Sequence, residues 1–153
     1  MRIQAAKSGM TGPELELTHR QEFSAAHRLH DPALSDAENA ALYGPCNNPN
    51  GHGHTYVYEV TVRGPVPSSG MIIDLNVLRA LMHEEIFTQV DHKHLDLDVP
   101  FLEGRISTAE NLAVAFWERL GPRLADHPGC RLHRLRVYEG PDSFVDYFGP
   151  GGA

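Results

Sequence analysis

The fold turns on "YGPCNNPNGHGHTYVYEVTVRG", residues 43–64. In its second half Tyr56, Tyr58, Val60 and Val62 alternate with Thr55, Val57, Glu59, Thr61 and Arg63, the period-two pattern of a β-strand with one covered face. His52 and His54 stand two positions apart where this strand begins, so their imidazoles project from the same side, within reach of one ion. Gly51 and Gly53 remove side chains that would crowd that space. Cys46 lies six positions before His52. Cysteine and histidine at this range make either a closed structural metal site or a reactive thiol beside an open one.

Upstream, "LELTHRQEFSAAHRL" (15–29) reads as a second strand with Phe23, Ala25 and His27 on one face. Pairing of this strand with 54–64 brings His27 in as a third donor. Three histidines suit Zn²⁺ with its fourth position free, the arrangement of a catalytic rather than a structural zinc. The intervening residues 29–53 are rich in Asp, Asn, Pro and Gly, with a short helix over 35–42 capped by Ser35 and Glu38.

Downstream, "GMIID" (70–74) reads as a third strand. "DLNVLRALMHEEIFTQV" (74–90) reads as a helix with Asp74 as N-cap and Leu75, Leu78, Met82 and Ile86 as its apolar stripe. "STAENLAVAFWERL" (107–120) reads as a second helix, with Ser107 and Glu110 at capping-box spacing and Gly121-Pro122 as its stop. "RLHRLRVYEG" (131–140) is a last strand, with His133, Leu135, Val137 and Glu139 on one face. The order predicts an α+β fold: a four-stranded antiparallel sheet with two helices on one face. One domain is expected over 15–148, between a flexible N-terminal tail (1–14) and a C-terminal tail (149–153).

The 153 residues, 41% of them hydrophobic and 22% charged, suit one globular domain. The absence of a long apolar run excludes a membrane span, and the N-terminal residues lack a signal-peptide core, so a cytoplasmic protein is expected. A formal net charge of −7 argues against a nucleic-acid partner while leaving room for a small anionic substrate in a local pocket. Two cysteines make no disulfide framework, and ten histidines are many for this length.

Two further groups carry chemistry. Asp91 and His92 end the first helix, where a carboxylate-paired imidazole can act as acid or base. Glu139 follows Leu135 and Val137 on their face, so its carboxylate needs a partner or a substrate. Arg131, Arg134 and Arg136 are read as a solvated sheet face.

Taken in order, "FSAAHRL", "CNNPNGHGHTY", "GMIIDL", "VDHKHLDLDVPF", "STAEN" and "VYEG" resemble the 6-pyruvoyltetrahydropterin synthase and 6-carboxytetrahydropterin synthase family, from Phe23 to Glu139. The resemblance implies the tunnelling fold, in which subunits assemble their sheets into a barrel, as a homohexamer built from two trimers. It implies zinc on His27, His52 and His54, with Cys46 as catalytic base and Asp91 and His92 of a neighbouring subunit tuning it. Glu139 would anchor the pterin ring, helped by Thr108 and Glu110. The implied reaction is a zinc-dependent elimination of triphosphate from 7,8-dihydroneopterin triphosphate, yielding 6-pyruvoyltetrahydropterin. The alternative is the carboxy-forming branch of the queuosine (deazapurine) pathway, whose members usually have three residues between the cysteine and the His-Gly-His. Here there are five, "NNPNG", as in the pyruvoyl-forming branch. Ala109 stands where the pyruvoyl-forming members often carry a second threonine. A more distant alternative is a non-enzymatic protein in which Cys46 closes a structural zinc site.

Overall fold

The computed structural model describes residues 12–152. The expected N-terminal tail therefore lies almost wholly outside the described residues. Strand β1 (Glu14–His27) pairs antiparallel with β2 (His52–Pro65) along their whole length. Between them come helix α1 (Asp36–Tyr43) and a 3₁₀ turn (Gly44–Asn47). The expected capping box starts α1: the Ser35 hydroxyl accepts the Glu38 N–H, and the Glu38 carboxylate accepts the Ser35 N–H.

After β2 the chain forms α2 (Leu75–Met82), a π-helical turn (His83–Phe87) and α3 (Thr88–Val90), then the two-residue strand β3 (Lys93–His94). Helix α4 (Ala109–Leu124), β4 (Arg131–Gly140) and β5 (Ser143–Tyr147) complete the fold. The sheet order is β3-β1-β2-β4-β5, antiparallel except for β3 beside β1. The fold is α+β with its helices on one face, and its sheet has five strands rather than the expected four.

Three differences make up the change in strand count, one strand lost and two gained. Residues 70–74 form no strand: they leave the turn closed by the Gly70 N–H on the Pro67 carbonyl and pair with no strand of the sheet. They are an irregular connection running into Asp74, which caps α2 by accepting the Asn76 N–H. β5 returns along β4 through the two residues Pro141 and Asp142, and places Val145 and Tyr147 beside Val137 and Leu135. β3 is too short to leave a periodic signal.

The helix expected over 74–90 is present with a π-helical turn in its middle. Its inward residues Leu78, Met82, Ile86 and Val90 are spaced by four and are all fully buried. Four residues overshoot one α-helical turn by about 40°, so three such steps drift roughly 120° off the core. One wider turn absorbs that drift. The Tyr58 hydroxyl then ties the helix to the sheet by donating to the Met82 carbonyl at 3.1 Å.

Helix α4 runs through Gly121-Pro122 to Leu124 instead of stopping there. Interior proline costs about 3 kcal/mol, and fully burying Leu120 and Leu124 returns a comparable roughly 1.5–3 kcal/mol each. The core beneath is aromatic: Phe23 stacks on Tyr56 with centroids 4.9 Å apart and meets Phe116 edge-on at 6.1 Å.

On the outer face, the arginines read as solvated are paired. Arg136 grips Asp146 through two 2.7 Å hydrogen bonds and lies over the Phe144 ring, while Arg134 lies 3.6 Å from Glu59. A register shift opposite Thr61 and Val62 also breaks the expected alternation of β4. Leu132 pairs with Val62, and His133 turns to Glu16 at 3.1 Å. No helix among the described residues is long and apolar enough to cross a membrane.

Candidate metal and substrate site

The β1–β2 register builds the three-histidine group. His27 is the direct partner of His52, and His54, two residues along β2, faces Ala25. All three share the helix-covered face with Phe23 and Tyr56, and one ring nitrogen from each lies within 4.8 Å of the others. His27 Nε2 and His52 Nε2 are 3.1 Å apart.

The surroundings of His27 and His54 favour the neutral, electron-donating form of their rings. His27 is fully buried, and its Nδ1–H donates to the Ser107 carbonyl at 2.8 Å, which leaves Nε2 with a free lone pair. Burial holds His27 below the usual imidazole range, against the opposing pull of the Ser107 carbonyl and Glu139. Burial lowers His54 in the same way. His52 Nδ1 and His54 Nε2 are buried without a hydrogen-bond partner. Buried unpaired polar atoms cost about 1–3 kcal/mol each. Three convergent imidazoles with unspent lone pairs fit a divalent transition metal, zinc among them.

Ser107 explains a difference at the start of α4. The expected Ser107–Glu110 capping box is absent; Thr108 is the N-cap and its hydroxyl accepts the Asn111 N–H. Ser107 is instead withdrawn beneath the histidines, where its hydroxyl also stands 3.3 Å from His27 Nδ1. Neither this contact nor that of the Tyr56 hydroxyl, 3.2 Å from the same nitrogen, was anticipated. Both residues carry ordinary sequence signals, a cap and a core aromatic.

Glu139 lies beside this group, with Oε1 3.7 Å from His54 Nε2. Thr108, Glu110 and Glu139 also line one open cavity of about 440 Å³, together with Leu29, Phe144 and Val145. Three residues named from two separate segments of the sequence thus line one cavity, with Glu139 beside the histidines.

Cys46 and the Asp91–His92 pair are not members of the three-histidine group. Cys46 is half-buried in the 3₁₀ turn, and it is not among the clustered donors. Far from a loose loop, that turn is bonded to the end of β1 through the Cys46 carbonyl, which accepts the Leu29 N–H at 2.9 Å. Asp91 accepts the Ser24 N–H at 3.0 Å and the His92 Nδ1–H at 2.7 Å. Burial pushes the Asp91 carboxyl up, but these two donors together hold it below the usual range. His92 has a left-handed backbone (φ 58°) and an exposed ring. The two groups are anchored at different points of the chain, Cys46 on Leu29 beyond the end of β1 and Asp91 on Ser24 within it.

An α+β sheet carrying a three-histidine group able to hold a metal ion, beside a carboxylate-lined cavity, is the layout of an enzyme site. The chain belongs to the 6-pyruvoyl tetrahydropterin synthase family, whose model matches residues 16–150. It is 46% identical over 134 residues to the 6-pyruvoyl tetrahydrobiopterin synthase of Poecilia reticulata, covering 87% of this chain and 89% of that one. It is 44% identical over 137 residues to the human protein of that name, covering 89% and 92%. The solved Caenorhabditis elegans 6-pyruvoyl tetrahydropterin synthase superposes with a TM-score of 0.84 at 42% identity, over 90% of this chain and 97% of that one. The fold is the tunnelling fold of that family.

Proposed function

We propose that the chain is a zinc-dependent lyase that converts 7,8-dihydroneopterin triphosphate to 6-pyruvoyltetrahydropterin, releasing triphosphate by elimination and internal redox without an external oxidant. The observation that carries this reading is the position of Glu139, against His54 on one side and on the wall of the Thr108–Glu110 cavity on the other. A carboxylate there accepts two parallel hydrogen bonds from an amino-pyrimidine edge and holds the substrate side chain toward the histidines.

His27, His52 and His54 would hold the metal. Bound zinc supplies Lewis acidity toward the side-chain hydroxyl oxygens, next to the carbons that must lose protons. Cys46 takes up a proton as thiolate, and the Asp91–His92 pair of a neighbouring subunit moves it on. Assembly into a hexamer of two trimers, with sheets joined into a barrel through the β3 and β5 edges, brings the two groups together. A cytoplasmic setting suits the free cysteines.

The test is product identification. Purified protein, Zn²⁺ and dihydroneopterin triphosphate should give inorganic triphosphate and a pyruvoyl pterin by mass spectrometry. A carboxy pterin as sole product would move the chain to the deazapurine branch. A Cys46→Ala variant that loses its zinc would instead support the closed structural site. Light scattering should return a particle of six 17.0 kDa chains.

A further inference from the structure

Cys46 sits in a turn whose position is set by its neighbour. The Asn47 side chain is 8% exposed, and its amide nitrogen donates to the Leu29 carbonyl at 2.7 Å and stands 3.2 Å from His30 Nδ1. The Asn47 carbonyl accepts the Arg28 Nε–H at 2.9 Å, and the Cys46 carbonyl accepts the Leu29 N–H at 2.9 Å. Four polar contacts thus lock the 3₁₀ turn onto residues 28–30, which directly follow His27. Arg28 is fixed in turn, since its own N–H donates to Asp96 at 2.7 Å.

From this arrangement we infer that Asn47, seconded by Arg28, is a positioning residue that holds the Cys46 thiol in register with the histidine group. Nothing in Asn47 is suited to proton transfer, and its amide is spent on the backbone of residue 29. Its role is geometric: a side chain that must meet a reacting carbon loses rate steeply when displaced by about 1 Å. Asparagine suits the place because its NH₂ satisfies the half-buried Leu29 carbonyl. An aspartate of the same shape would set a carboxylate oxygen against that carbonyl.

The inference rests on Cys46 being the base, and the experiment separates the two. Asn47→Asp and Arg28→Lys are compared with wild type and with Asn50→Ala, an exposed control in the same loop. For Asn47→Asp, kcat should fall on the order of 10- to 100-fold with KM within about threefold and zinc content unchanged. The rate of iodoacetamide labelling at Cys46, read on its peptide by mass spectrometry, should change at least threefold. Labelling at Cys130 should stay constant and so reports an intact fold. Arg28→Lys keeps the charge but misplaces the donor, and should show the same pattern more weakly even where Asn47→Asp fails to fold. Wild-type turnover and wild-type Cys46 labelling in both variants would overturn the clamp. A Cys46→Ser enzyme with unchanged turnover would instead overturn the reading of Cys46 on which the clamp depends.

Discussion

His27 donates its Nδ1–H to the Ser107 carbonyl at 2.8 Å, joining the end of β1 to the start of α4. The bond fixes the imidazole tautomer and delays the helix cap by one residue, to Thr108. It also makes the three-histidine group depend on helix packing rather than on the β1–β2 ladder alone.

Because the acceptor is a backbone carbonyl, Ser107→Ala should keep zinc affinity within about tenfold of wild type, at or below the low end of outer-ligand effects. His52→Ala, which removes a ring from the group itself, should purify with far less than one zinc per chain. Chelator competition and metal analysis measure both. A hundredfold loss in Ser107→Ala would mean that the hydroxyl is the working partner.

Glu139→Gln keeps shape and burial but replaces a charged acceptor by a neutral amide. Hydrogen bonds to a charged group are worth about 1.5–3 kcal/mol, so kcat/KM should fall roughly 10- to 150-fold. Zinc content should hold, because Glu139 lies 3.7 Å from His54 without bonding it. Loss of metal in this variant would reassign Glu139 to the metal group.

Which features were legible in the sequence follows from how local their causes are. Parity along β1 and β2 placed His27, His52 and His54 on one face, because strand alternation is a property of neighbouring residues. Ser35 and Glu38 announced α1 for the same reason. The π-helical turn could not be read, since it depends on keeping Leu78, Met82, Ile86 and Val90 against a sheet formed elsewhere in the chain. The same holds for Pro122, which stays helical because buried leucines flank it. Ser107 looked like a cap because its tertiary partner lies 80 residues away. The rigidity of the Cys46 turn was hidden likewise, as Asn47 bonds to backbone 18 residues upstream.

Two glycines with positive φ should respond unequally to alanine. Gly149 has φ +88°, and a Cβ there would come within 2.5 Å of the Trp117 ring. Gly70 has φ +77°, but a Cβ there would meet nothing within 4 Å. Gly70→Ala should cost about 1 kcal/mol, from the backbone alone. Gly149→Ala should destabilise by clearly more, since both backbone and packing oppose it. Urea unfolding midpoints test the pair, and equal shifts would contradict the contact between Gly149 and Trp117.

The Arg136–Asp146 pair predicts a pH dependence of stability. The Asp146 carboxyl is held below its ordinary value of 3.8, first by the Arg136 hydrogen bonds, against a smaller upward push from burial. A carboxyl depressed in the folded state binds its proton less readily than in the unfolded chain. Its stabilisation is therefore fully present above the unfolded value and is lost as pH falls through the folded one. Asp146→Asn should cost on the order of 1 kcal/mol at pH 7, because the bidentate pair is only partly shielded from solvent. That gap should close below pH 3.8, when wild type loses the same charge. Denaturation of both proteins across pH 7 to 2.5 checks it. A gap that stays constant down to pH 2.5 would show that Asp146 acts through packing and not through its charge.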